Sequence, residues 1–184
     1  MRLIKAFLFG AIGLFIIITL FSLLIPFTVR VSRVIVINTL NPGELYGQVA
    51  NFENWKKWHP IFTTDSATIY PQYSAGRRDS VYVILHRGKQ INITRINADS
   101  VSVKFLLHAK GENDIENELY FTTLPQQQSV QVEWRVINRL KWYPWEKFYG
   151  IFLDKLTGPG YEAALQGLKT FIEKDAPPTK LLHQ

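Results

Sequence analysis

The chain contains no cysteine. That excludes disulfides and every metal site built on thiolates, and it fits either side of a membrane. No HExxH motif is present to hold a catalytic metal, and no GxSxG turn to expose a nucleophilic serine. Gly158-Pro159-Gly160 follows a helical or irregular stretch rather than a strand, so it is not a phosphate-cradling loop. No motif implies a cofactor. No internal repeat and no low-complexity tract is visible. From Ala6 to Ile25 there is also no charge at all.

That uncharged run reads AFLFGAIGLFIIITLFSLLI, with only the hydroxyls of Thr19 and Ser22 as polar side-chain groups. As a helix it spans about 30 Å, the thickness of a bilayer's hydrocarbon core. A cleaved signal peptide would need a shorter apolar region and a small-x-small site, and none precedes Pro26. The expectation is an uncleaved anchor over residues 1–27, in the bilayer through residues 6–25. Arg2 and Lys5 precede the run, while Arg30 and Arg33 follow it. Together with the short leading segment, this slight bias puts the following domain on the outer, periplasmic side of the inner membrane.

The rest of the chain, about 155 residues, suffices for one domain. Of the 21 basic side chains, Arg2 and Lys5 precede the run, leaving 19 against 15 acidic ones. The basic residues are scattered, which argues against nucleic acid as a partner. A small positive charge suits a domain held beside anionic headgroups.

Thr28 to Asn38, TVRVSRVIVIN, is β-branched and reads as a strand. Asn41-Pro42-Gly43-Glu44 then reads as a helix start, with Asn41 as cap, Pro42 in the first turn and Glu44 completing a capping box. Leu45, Val49 and Phe52 continue a short amphipathic helix toward NWKKWHP, residues 54–60, where Trp55 and Trp58 would share a helical face.

Beyond residue 66 the apolar period switches to two. Strands are expected at 67–73, 79–86, 90–97, 101–109, 114–123 and 129–138, joined by turns at Ala75-Gly76, Arg87-Gly88, Ala98-Asp99 and Gly111-Glu112-Asn113. Short strands and tight turns make an antiparallel meander. A loop at 124–127 would set Thr123 opposite Gln128, Tyr120 opposite Gln131 and Glu116 opposite Arg135. Ile115, Leu119 and Phe121 would share an apolar face with Val130, Val132, Trp134 and Val136. A closing helix over Gly160–Lys174 would cover that face with Tyr161, Leu165, Leu168 and Ile172, and residues 176–184 would form a tail.

The opening strand with its Asn-Pro-Gly-Glu-Leu-Tyr helix start, the Trp55–Trp58–Pro60 corner, and the segment from Thr157 to Glu162 running on to Glu173 carry a resemblance. In this order they resemble the START-like or SRPBCC superfamily, in particular its polyketide cyclase/dehydrase branch. The resemblance covers residues 28–175. It implies an α+β helix-grip fold: a curved antiparallel sheet of about seven strands around a long C-terminal helix, with two short helices after the first strand. One transmembrane helix precedes it here. It also implies a cavity between sheet and helix that takes a hydrophobic small molecule or lipid.

The expected cavity residues are Trp55, Trp58, His59, Phe62, Asn117, Trp134 and Tyr149. Each has a plainer alternative. The tryptophans could simply plug the end of the domain, His59 could be a satisfied structural histidine, and Asn117 could sit at an exposed strand end. The stretch Trp134–Phe152 interleaves seven aromatics with Arg135, Arg139, Lys141 and Lys147, which suits a membrane interface or a cavity mouth. His86 and His108 are expected on solvated faces. So are Asp114, Glu116 and Glu118. No catalytic constellation emerges, so binding is favoured over a cyclase- or dehydratase-like enzyme using the same cavity.

Overall fold

The structure is a computed structural model that describes residues 2–39, 41–72 and 81–174. Helix α1 (Arg2–Leu23) opens it, and Leu3–Leu23 has a mean hydropathy of 2.5, long and apolar enough to cross a bilayer. Strand β1 (Thr28–Asn38) follows. Then come α2 (Pro42–Ala50), a 3-10 helix over Phe52–Lys57, and the single-turn α3 (Pro60–Thr63). Asn41 caps α2 as expected, its side chain accepting from the Glu44 amide at 3.2 Å.

The meander is β2 (Thr68–Pro71), β3 (Val81–His86), β4 (Lys89–Ala98), β5 (Ser102–Ala109), β6 (Ile115–Leu124) and β7 (Ser129–Arg139). The seven strands form one antiparallel sheet in the order β1-β7-β6-β5-β4-β3-β2. The end of the strand expected at 67–73, the start of that at 79–86, the Ala75-Gly76 turn and the tail 176–184 lie outside the described residues. The hairpin between β3 and β4 turns through Arg87 and Gly88, both at positive φ (49° and 77°), which suits the twist of the flanking strands.

Two expectations need correction. The β6–β7 loop is residues 125–128, so Leu124 pairs with Ser129 and Thr123 with Val130. Pro125 has no amide to give the ladder, and Gln128 takes a left-handed conformation to close the turn. The register therefore moves by two residues, which leaves every side chain on its expected face. Glu118 now stands opposite Arg135, and Glu116 instead binds Arg139 at 2.6 Å.

The closing helix is also longer than expected. Helix α4 runs from Pro144 to Lys174, 31 residues, with Pro159 inside it. Proline lacks the amide that would bond one turn back, so the helix gives up one backbone bond there. Tyr161, Leu165, Leu168 and Ile172 pack on the sheet's inner face, with Leu165 and Leu168 essentially inaccessible.

Helix α4 also covers the free edge of β1. Glu173 accepts from the Asn38 amide at 2.9 Å, and Lys169 Nζ donates to the Val36 carbonyl at 2.9 Å. Arg33 meets Asp154 at 2.9 Å further along. An exposed edge strand would otherwise offer these groups to another chain.

Candidate functional site

The 3-10 helix explains the tryptophan corner. Side chains three residues apart align on such a helix, so Trp55 and its C-cap Trp58 point inward while Lys56 and Lys57 face solvent. Both indoles are 3% exposed. Trp55 Nε1 donates to the Val49 carbonyl at 2.9 Å, and Trp58 Nε1 to the Gln48 carbonyl at 3.2 Å. The corner is thereby tied back to the end of α2.

From β7, Trp134 reaches the same place. Its ring lies 5.7 Å from Trp55, 6.1 Å from His59 and 5.2 Å from Tyr161 of α4. Its Nε1 donates to Asn117 Oδ1 at 3.0 Å, and Asn117 Nδ2 donates to the Ile115 carbonyl at 3.1 Å. Asn117 is buried rather than at an exposed strand end, and its side-chain nitrogen and oxygen each meet a group of the protein itself. A bare amide there would cost about 1–3 kcal/mol.

His59 stacks on Trp55, centroids 5.4 Å apart and planes 6° from parallel, and Phe62 meets its edge at 5.7 Å. His59 Nδ1 accepts from the Ile61 amide at 3.2 Å, which caps α3 and requires the neutral ring with its proton on Nε2. Burial pulls its pKa down to about 4. Burial likewise pushes the Tyr161 phenol up to about 12. Both are uncharged at neutral pH.

Six of the seven expected residues thus converge: Trp55, Trp58, His59, Phe62, Asn117 and Trp134. Tyr149 does not join them. It lies on the outward side of α4, 51% exposed. Of the other histidines, His108 is exposed and meets Asp114 at 2.5 Å. His86 is partly buried, against expectation, with Nε2 3.7 Å from Asp65. The α3–β2 connection supplies that aspartate, and strand alternation alone could not reveal it.

Two features were missed. Arg95 pairs with Phe105 across β4 and β5, so it faces inward, and its guanidinium lies 5.4 Å from the Phe52 ring centre. Its Nε and the side-chain oxygen of Gln48 are buried with no hydrogen-bond partner among the described residues. The alternation Ile91, Ile93, Arg95 carried that signal. The second feature is a concavity of about 450 Å³ that includes Arg30, Ser32, Lys104, Glu118, Glu133 and Arg135. Its charges are largely paired: Lys104 with Glu118 at 3.1 Å, and Arg135 with Glu133 at 2.6 Å. The Arg135 hydrogen bond holds the Glu133 carboxyl below its ordinary pKa. Among the described residues, no group of three or more His, Asp or Glu is placed to hold a metal ion.

No family model matches the chain, and no curated protein matches it in sequence. Solved structures do. A START superfamily protein from Mycobacterium smegmatis matches with a TM-score of 0.60 at 16% identity, over 80% of this chain and 99% of that one. A Staphylococcus aureus protein of unknown function gives 0.61 at 16% identity, over 80% and 94%. The XoxI protein of Bacillus cereus gives 0.58 at 12%, over 79% and 96%. The architecture is therefore the START-like helix grip, with an apolar N-terminal helix ahead of it. The likeness extends to the fold alone.

Proposed function

We propose that this is a membrane-anchored binding domain for a hydrophobic small molecule or lipid, held between the sheet and α4. The observation that carries the reading is a helix-grip scaffold whose apolar interior holds Arg95 of β4 and Gln48 of α2, each with a buried polar atom unmatched among the described residues. A mostly apolar site with few polar groups suits an amphiphilic guest. Trp55, Trp58, Trp134 and Asn117 form the floor, fixed by their own hydrogen bonds. His59 and Phe62, which keep partial exposure, are the members of the cluster that a guest touches. Tyr149 belongs to another surface. The domain boundaries follow as residues 1–27 for the anchor, 28–175 for the domain and 176–184 for the tail.

Binding is favoured over the chemistry of the polyketide cyclase/dehydrase branch. Within the aromatic cluster His59 and Tyr161 are ionisable, and burial keeps both neutral. Among the described residues neither is in an ion pair that would tune it as acid or base, and burial is the cause of each shift. The anchor enters the bilayer through residues 6–25, and the domain stands on the outer side.

Native mass spectrometry of the full chain in detergent tests the binding reading. A discrete lipid-sized mass should persist on the folded protein, and Arg95→Ala should weaken its retention. A folded protein that carries no adduct and binds no apolar fluorescent probe would overturn it. A C-terminal reporter active only in the cytoplasm would reverse the orientation.

A further inference from the structure

Helix α4 changes character midway. Its inward side is continuous: Lys147, Gly150, Leu153, Gly158, Leu165 and Leu168 are all buried. Its outward side is not. After Pro159 it carries Glu162, Gln166, Thr170 and Lys174, an ordinary solvated face. Before Pro159 it carries Trp145, Tyr149, Ile151, Phe152 and Leu156, each between 51% and 65% exposed. This apolar stripe extends over about 17 Å of helix. Just ahead of it, Trp142 is 62% exposed, and Tyr143 stacks on Trp145 at 5.1 Å. A soluble surface rarely leaves so many large apolar groups contiguous.

The place of the stripe identifies its occupant. Lys147 Nζ donates to the Ile25 carbonyl at 2.7 Å and sits 3.1 Å from the Phe27 ring centre. The Leu140 amide donates to the Phe27 carbonyl at 2.8 Å. Ile25 and Phe27 stand just past the last turn of the apolar helix, where a spanning segment meets the headgroups. The start of α4 is therefore pinned at the depth where tryptophan and tyrosine concentrate in membrane proteins. The charges agree. The ammonium groups of Lys141 and Lys155 have no ion pair among the described residues, whereas Asp154 is engaged by Arg33 and Glu146 by Asn113 and the Lys141 amide.

We infer that the Trp142–Leu156 segment is a second membrane contact, lying in the anionic headgroup layer beside the exit of α1. This rests on the reading of α1 as a bilayer anchor. Two attachments fix the domain's tilt, and residues on the same side as the stripe face the lipid.

Tryptophan quenching in the full chain tests this. Trp55, Trp58 and Trp134 are buried in the core, so Trp142 and Trp145 are the reporters. The chain is reconstituted in vesicles of phosphatidylcholine and phosphatidylglycerol that carry a lipid spin-labelled near the headgroup. Emission should be quenched by that lipid and shielded from aqueous iodide. Trp142→Phe with Trp145→Phe should lose most of the lipid-quenched signal while keeping the core emission and the far-ultraviolet circular dichroism. Phe152→Asp should weaken the lipid quenching with both reporters in place. Free access of iodide to the reporters would overturn the inference. So would protection from both quenchers, which would place a second copy or another protein on the stripe. Alkaline carbonate separates the two readings. A chain that stays in the vesicles but shows no lipid quenching keeps its anchor and lacks the second contact, whereas a chain stripped off loses both.

Discussion

Gly167→Ala tests how tightly α4 is clamped to the tryptophan corner. A Cβ built at Gly167 would lie 2.3 Å from the Trp58 carbonyl oxygen and 3.6 Å from Pro60 Cδ. Ordinary contact needs about 1 Å more, so either the helix or the carbonyl must move. The carbonyl is poorly placed to yield. The Trp58 amide donates to the Trp55 carbonyl at 3.2 Å, the His59 amide to the same oxygen at 2.9 Å, and the Trp58 indole to Gln48 at 3.2 Å. Replacing a helical glycine by alanine gains about 1 kcal/mol in propensity. Overpacking a closed interface costs about 1–3 kcal/mol, and a backbone obstacle belongs at the upper end. The net expectation is a loss of about 1–2 kcal/mol. Gly160 is the control, because nothing lies within 4 Å of its Cβ position. Gly160→Ala should stabilise by up to about 1 kcal/mol. Urea unfolding of both variants in detergent, followed by tryptophan emission, gives the two signs. Equal stabilisation by both would refute the close approach of α4 to the corner.

Other outcomes follow from the same structure. Leu168→Ala should cost about 2–5 kcal/mol in the same unfolding assay, because its side chain is wholly enclosed, and a loss of a few tenths would mean the inward face of α4 is not core. Asn117→Ala should cost about 1–3 kcal/mol by leaving the Trp134 indole N–H bare, and Trp134→Phe should cost less in that background than alone, as a double-mutant cycle would read. His59 has its folded pKa lowered to about 4, so the unfolded chain binds the proton more readily. Its contribution is full above the unfolded value of about 6.5 and is lost as pH falls toward 4, with a slope of at most about 1.4 kcal/mol per pH unit. His59→Asn keeps a capping side chain, so its stability should fall less than wild type between those pH values; parallel curves would refute the assignment.

The sequence alone determined what local periodicity can carry. Residues 6–25 carry no charge and are apolar but for two hydroxyls, so a membrane-length helix follows whatever surrounds it. Alternation marked the strands of the meander, and the faces of β6 and β7 survived a two-residue error in register because a strand repeats every two residues. Asn41 and Pro42 marked the start of α2 because a cap is a local event. The candidate cluster was legible for the same reason: Trp55, Trp58, His59 and Phe62 lie in one short segment. Other features depended on partners far along the chain. Trp134 meets Asn117 only through the strand pairing, and Lys147 is covered by Ile25 and Phe27 of the connection that follows α1. The start of α4 was hidden because its first half is apolar on both sides, so no amphipathic period stands out. Tyr149 illustrates the consequence. Its composition suits a cavity mouth or an interface equally, and only the packing of α4 against β1 turned its ring outward. Local propensity fixes elements and their faces, whereas the direction of a doubly apolar helix is chosen by the surface that gets there first.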